Sequence, residues 1–221
     1  MSAGKPIVHH LDDDILLDYA AGTLAEGWSL AVATHLAMCP QCRARYEVME
    51  SAGGVLLEQI EPQKTEDASW EALKARLADA PQIAPVAKRV HSGPAPVLPE
   101  PLRSYVGSDV DAIKWKSMPG AAQVMIPTRD GETMVRLLRI PAGKPVPEHT
   151  HRGRELTLVL SGAFSDGEDV FGRGDIEVAD ASLTHQPVAT SDGECICLAV
   201  TDAPLRFKSW IVRLFQPVLG I

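Results

Sequence analysis

Six prolines stand between Asp79 and Leu102, in "DAPQIAPVAKRVHSGPAPVLPEPL". Each fixes its own φ and removes a backbone donor, so neither a helix interior nor a central strand runs through them. A stretch of this kind is an extended linker. The chain must therefore build its structure on either side, and the two sides carry different periodicities.

Residues 1–80 read as four helices. "DDDILLDYAAGTL" opens on aspartates suited to a helix N-terminus, places Ile15, Leu16, Tyr19 and Ala20 at helical spacing, and ends at Gly22 as a C-cap. "AEGWSLAVATHLAM" is a second helix with Trp28, Val32 or Ala31, His35 and Met38 on one stripe. Pro40 suits the first turn of a third, running from about Gln41 to Ile60. "ASWEALKARLA" gives a fourth, with Trp70, Leu73 and Leu77 on one face. Past the prolines the pattern turns to short β-rich runs: "AAQVMIPT", "ETMVRLLRI", "LTLVLSGAF", "GDIEVAD", "HQPVAT" and "ECICLAVTD". Six or more short strands in such a span predict a sandwich or barrel. The predicted division is a helical domain at 1–80, a linker at 81–101 and a β-domain at 102–221.

Charge narrows the function classes. The net charge is −8, and residues 1–80 hold six basic against 13 acidic side chains. An acidic chain lacks the basic footprint of a nucleic-acid binder, so no direct nucleic-acid contact is expected. The acidic helical part suits either a basic protein partner or a plain solvated surface. "MSAGKPIVHHLDDD" has no apolar core of signal-peptide length, and no apolar run reaches the roughly 20 residues that span a bilayer. The expectation is a cytoplasmic protein without membrane contact. There, cysteines more often serve metal or redox chemistry than structural disulfides.

In "HLAMCPQC", His35 and Cys39 lie four apart on a helix end, hence on one face. Cys42 follows at the C-x-x-C spacing that lets two thiolates reach one tetrahedral ion. A thioredoxin-like redox pair would need a βα context that is missing here. A closed structural site needs one more ligand, and His9 or His10 can fold back to supply it. Zinc would then staple a helical domain too small to hold itself well by burial.

The strongest pattern is "GKPVPEHTHRGRELTLVLSG", Gly143 to Gly162. His149 and His151 share one side of a strand, Glu155 follows four residues on, and His185 comes from a later strand. Three imidazoles and a carboxylate suit Zn, Mn, Fe, Ni or Cu. Four protein ligands would close the site on a four-coordinate ion, whereas iron or manganese would keep two open positions. In "ECICLAV", Cys195 and Cys197 face one side of a strand, either as small core residues or as a redox pair. Bonded to each other they would sit in poor disulfide geometry.

Two resemblances follow from these residues. The sequence "HHLDDDILLDYAAGTLAEGWSLAVATHLAMCPQCRARYE" resembles the zinc-binding anti-sigma domain, and on its spacing His10 rather than His9 matches the first ligand. The spacing G-x5-H-x-H-x3-E-x6-G is similar to the first cupin motif in every position. Of the second motif, Gly174 and His185 are present, while Asp180, Ser182 and Ala189 replace the usual Pro, Gly and Asn.

In that order, the two halves resemble the ChrR type of anti-sigma factor. The resemblance implies a multidomain protein: a small all-α zinc-binding four-helix domain followed by an all-β cupin barrel. It implies zinc at His10, His35, Cys39 and Cys42, and zinc or another divalent transition metal at His149, His151, Glu155 and His185. It further implies no enzyme but an inhibitor of an extracytoplasmic-function sigma factor, released under oxidative stress such as singlet oxygen. The alternatives from other classes are a metal-dependent cupin dioxygenase or isomerase carrying a zinc-binding assembly domain, and a zinc-finger transcription factor.

Overall fold

A computed structural model of the chain describes residues 5–80, 95–204 and 206–207. Four helices stand where the sequence predicts them: α1 (Asp13–Ala21), α2 (Glu26–Met38), α3 (Pro40–Glu58) and α4 (Asp67–Asp79). Asp13 and Asp14 occupy the first turn of α1, where its dipole favours negative charge. Gly22 ends it at φ 70°, a left-handed conformation that glycine adopts without steric cost.

Residues 81–94 of the predicted linker lie outside the described residues. The end of that stretch is structured. Leu98 and Leu102 are buried, both Oδ atoms of Asp109 accept backbone N–H groups from Val97 and Leu98 at 2.9 Å, and a fifth helix, α5, covers Glu100–Val106. Pro101 sits in its first turn, where a missing N–H has no helical partner to lose. Proline density therefore marks a helix start here as well as a break. By contact, the described residues up to Glu50 group with those from Pro96 onward, and those between Ser51 and Ala95 form a second unit.

The β-part contains β1 (Lys116–Met118), β2 (Ala121–Ile126), β3 (Met134–Ile140), β4 (His149–Thr150), β5 (Glu155–Ser161), β6 (Ala163–Asp166), β7 (Asp169–Gly172), β8 (Ile176–Ala179), β9 (Thr184–His185), β10 (Val188–Ala189), β11 (Cys195–Thr201) and β12 (Arg206–Phe207). They form a six-stranded antiparallel sheet ordered β1-β2-β3-β11-β5-β8 and two three-stranded sheets, β10-β6-β7 and β12-β4-β9. The run "LTLVLSGAF", predicted as one strand, is broken at Gly162. Its φ is 70°, and a Cβ there would overlap the Glu194 carbonyl.

Alternation along the large sheet gives its two faces opposite characters. Val135 and Leu137 on β3, Leu156, Leu158 and Leu160 on β5, and Ile196, Leu198 and Val200 on β11 share one core with Leu11, Leu16, Trp28, Leu30, Ala31, Val32 and Leu36 of the helices. Each such burial is worth ~1.5–3 kcal/mol. Helix α2 is consequently buried on most sides, unlike the single stripe read from the sequence. Gly27 lets it approach β3, since a Cβ there would overlap the side chains of Thr133 and Val135. The opposite face carries the buried polar residues Arg136, Glu155, Thr157, Glu177 and Thr201. The ladder places Arg136 opposite Ala199, which faces Thr157, which in turn faces Glu177.

Candidate metal centres

His10, His35, Cys39 and Cys42 come together with their ligand atoms all within 4.8 Å of one another. Helix α2 delivers His35 from its last turn and ends at Cys39, and the first turn of α3 carries Cys42. His10 arrives from the segment before α1. Its Nδ1 lies 3.4 Å from Cys39 Sγ and 3.6 Å from Cys42 Sγ. A tetrahedral ion ~2.3 Å from sulfur and ~2.0 Å from nitrogen holds such atoms ~3.5 Å apart. His9 points elsewhere: its ring packs on Phe171 at 4.2 Å between centroids, and its Nδ1 lies 3.7 Å from Asp175.

The surroundings suit a cation. His35 Nδ1 stands 2.9 Å from the Gly174 carbonyl, to which it donates as the Nδ1–H tautomer. Its Nε2 is then the lone-pair nitrogen, and that atom is buried with no hydrogen-bond partner among the described residues. Burial pushes His35 down to about 4, so the imidazole is neutral and free to ligate near neutral pH. Burial also raises the Cys42 thiol above its ordinary value, whereas a bound cation holds such sulfurs as thiolates. Arg45 braces the corner by donating to the Leu11 carbonyl at 2.8 Å, to Cys42 Sγ at 3.8 Å and to the Asp13 carboxylate.

His149, His151 and His185 form the second group. Strands β4 and β9 pair His149 directly against His185, and His151 follows two residues on. His185 Nε2 lies 3.1 Å from both His149 Nε2 and His151 Nε2. Three lone pairs at that spacing match neighbouring corners of one ion's shell, ~3.0–3.4 Å apart for nitrogens bound at ~2.1 Å. Two of the rings are held from behind. His149 Nδ1 meets the Pro147 carbonyl at 2.8 Å, and His185 Nδ1 meets Asp166 Oδ2 at 2.6 Å. Burial lowers the pKa of both His149 and His151.

Glu155 is not brought into this close group. Its Oε2 lies 3.5 Å from His151 Nδ1, behind that ring, and its Oε1 accepts from Thr157 Oγ1 at 3.0 Å. Two carboxyls that the sequence reading passed over stand behind His185 instead. Asp166 holds Nδ1, and Glu177 Oε1 lies 3.8 Å from it. Burial, reinforced by the neighbouring Asp166, raises Glu177 to about 8.

Cys195 and Cys197 are buried in the smaller apolar cluster with Val159, Phe164, Phe171 and Ala189. The contact with Cys195, together with burial, raises Cys197 well above the usual thiol range. A buried, protonated thiol is a poor nucleophile.

Over 215 residues the chain is 46% identical to the anti-sigma-E factor ChrR of Cereibacter sphaeroides, covering 97% of this chain and 99% of that one. This chain belongs to the ChrR family of anti-sigma factors. Its residues 104–204 match the family model for the ChrR cupin-like domain, a span that holds all three histidines of the second group. The crystal structure of Rhodobacter sphaeroides SigE in complex with the anti-sigma ChrR contains a chain that superposes at a TM-score of 0.78 with 46% identity. The match covers 88% of this chain and 99% of that one. The ChrR family thus pairs helices at the N-terminus with a cupin-like β-domain, as the sequence reading expected. Among the described residues of this ChrR relative, no helix is long and apolar enough to cross a membrane.

Proposed function

We propose that this chain is a cytoplasmic anti-sigma factor. It binds and inhibits an extracytoplasmic-function sigma factor and releases it under oxidative stress sensed through the cupin-like domain. The observation that carries this reading is the 46% identity to an anti-sigma factor along 97% of the chain. In the solved complex the similar protein is bound to SigE.

The unit between Ser51 and Ala95 supplies the binding surface in this reading. Trp70, Leu73 and Leu77, the face predicted for α4, are exposed, Trp70 to 57%. Val55, Leu56, Leu57 and Ile60, at and beyond the end of α3, are exposed as well. Apolar side chains in such number at the surface mark a protein partner, and tryptophan is the commonest anchor of such interfaces.

His10, His35, Cys39 and Cys42 hold Zn2+ in this account, and the zinc fixes the helix ends without redox chemistry of its own. His149, His151 and His185, with Glu155 able to join them, hold Zn2+ or another divalent metal such as Mn, Fe or Ni. The three sheets are the staves of a cupin barrel, and the four helices up to residue 80 form the sigma-binding domain, joined to it through residues 81–101.

Co-expression of the full chain with the sigma factor encoded beside it tests the proposal. The expected result is a stoichiometric complex, lost in a Trp70→Asp, Leu77→Asp double variant of unchanged metal content. Recovery of the chain without any sigma factor, or equally tight capture by the variant, contradicts it.

A further inference from the structure

The turn from β7 into β8 touches both groups of ligands. The Gly174 carbonyl faces His35 Nδ1 at 2.9 Å. One carboxylate oxygen of Asp175 accepts the backbone N–H groups of Val8 at 2.7 Å and His9 at 2.9 Å. Its other oxygen accepts the Gly172 N–H at 2.8 Å, which closes the turn. The N–H of Ile176 donates to the His9 carbonyl at 3.3 Å. His10 and His35, two of the four N-terminal ligands, thus take their positions from Gly174, Asp175 and Ile176. The fit leaves little slack: Gly174 has a φ of 93°, and a Cβ there would overlap the Ile7 side chain.

The next residue reaches the other group. Glu177 Oε1 lies 3.8 Å from the Nδ1 of His185. Successive strand residues point to opposite faces, so Ile176 packs in the core shared with the helices while Glu177 faces the histidines. Pairing with β5, Ile176 against Leu158 and Glu177 against Thr157, keeps these residues from moving independently.

We infer that Gly174–Glu177 is a coupling segment, through which the state of the His149, His151, His185 site sets how firmly the His10, His35, Cys39, Cys42 site holds its metal. An ion on His185 fixes that ring, and with it Asp166 and Glu177. Its loss frees the ring, and the shift passes along one short strand to the acceptors that hold His35 and the Val8–His10 segment. Coupling between two binding sites is reciprocal, so a metal at either site strengthens the other. The inference deepens the anti-sigma reading, because it names the route by which the cupin-like domain would loosen the sigma-binding helices. Its test needs no sigma factor.

The full chain is titrated with Co2+ against a chelator of known strength, following the thiolate-to-cobalt charge-transfer band, which reports only the Cys39/Cys42 site. Disabling the second site with His149→Ala, His151→Ala is expected to weaken cobalt binding at the cysteines ~10-fold, within the usual span of coupled sites. Asp175→Ala is expected to weaken it similarly and to erase the further effect of the histidine changes. Arg139→Ala, which removes an exposed ion pair with Glu194, leaves the coupling in place. Equal affinity within twofold, whether the second site is intact or disabled, overturns the inference. If Asp175→Ala does not fold, the comparison of intact and disabled second sites decides by itself. A coupled chain that captures no sigma factor refutes the anti-sigma reading and leaves the coupling standing. A sigma-binding chain with equal affinities refutes the coupling alone.

Discussion

The two ligand groups solve different problems. The N-terminal group gathers two sulfurs and two imidazoles from a helix end, a helix start and the segment before α1. On a tetrahedral ion, four such donors would leave no place for an outside ligand, so an ion held there would act as a fastener. The second group aims three imidazoles at one point and keeps its carboxyls behind them, on the far nitrogens. Three donors would leave coordination positions open to a small molecule. Proximity to both belongs to one segment of chain, and the proposed function gives the first group a holding role and the second a responding one.

Substitutions can break or sharpen this contrast. The largest effect is expected at the fastener. Cys39→Ser should remove one equivalent of metal and lower the melting temperature by ~10 °C or more, because metal binding in such sites is folding energy. Metal at the histidine group should survive; its parallel loss, beyond the coupling inferred above, would show that the groups are not separate sites. His151→Ala should remove the other equivalent at a cost of only a few degrees, as expected of a site seated on an already hydrogen-bonded sheet. A larger fall than that of Cys39→Ser would reverse the assignment of roles. Asp166→Asn should weaken metal affinity at the histidine group ~10–100-fold, the usual cost of losing a partner behind a ligand, with the position and intensity of the cobalt–thiolate band at saturation unchanged. Smallest is Arg139→Ala: its exposed pair with Glu194 is worth below ~1 kcal/mol, so calorimetry should barely register it.

His149 and His151 were legible because their motif is local, whereas His185 was found through its spacing from Gly174. Gly143, His149, His151, Glu155 and Gly162 keep fixed spacings across one strand–turn–strand, and Gly143 and Gly162 are both found at positive φ. Asp166 and Glu177 were not legible, since they reach His185 from other strands at distances along the chain that follow no local rule. Helix geometry left His9 and His10 both open, and only the spacing of the family resemblance favoured His10. The choice depends on Phe171 and Asp175, more than 160 residues downstream, which hold the His9 ring and backbone. The prolines misled about α5 because proline breaks helices in their interior but suits their first turn. They also hid how closely the halves pack, since an apolar run such as "LTLVLS" does not say which surface covers it. Leu156, Leu158 and Leu160 pack under α2, so cutting the chain near Pro96 would uncover Trp28, Leu30 and Val32. Tests of sigma binding therefore need the full chain.

Run-off transcription from a promoter that depends on the neighbouring sigma factor, with core polymerase and increasing amounts of the full chain, is the most direct test of the regulatory role. Transcription is expected to fall to background near one chain per sigma factor, and to return with the Trp70→Asp, Leu77→Asp variant. Transcription that persists at every ratio of the wild-type chain would contradict the account.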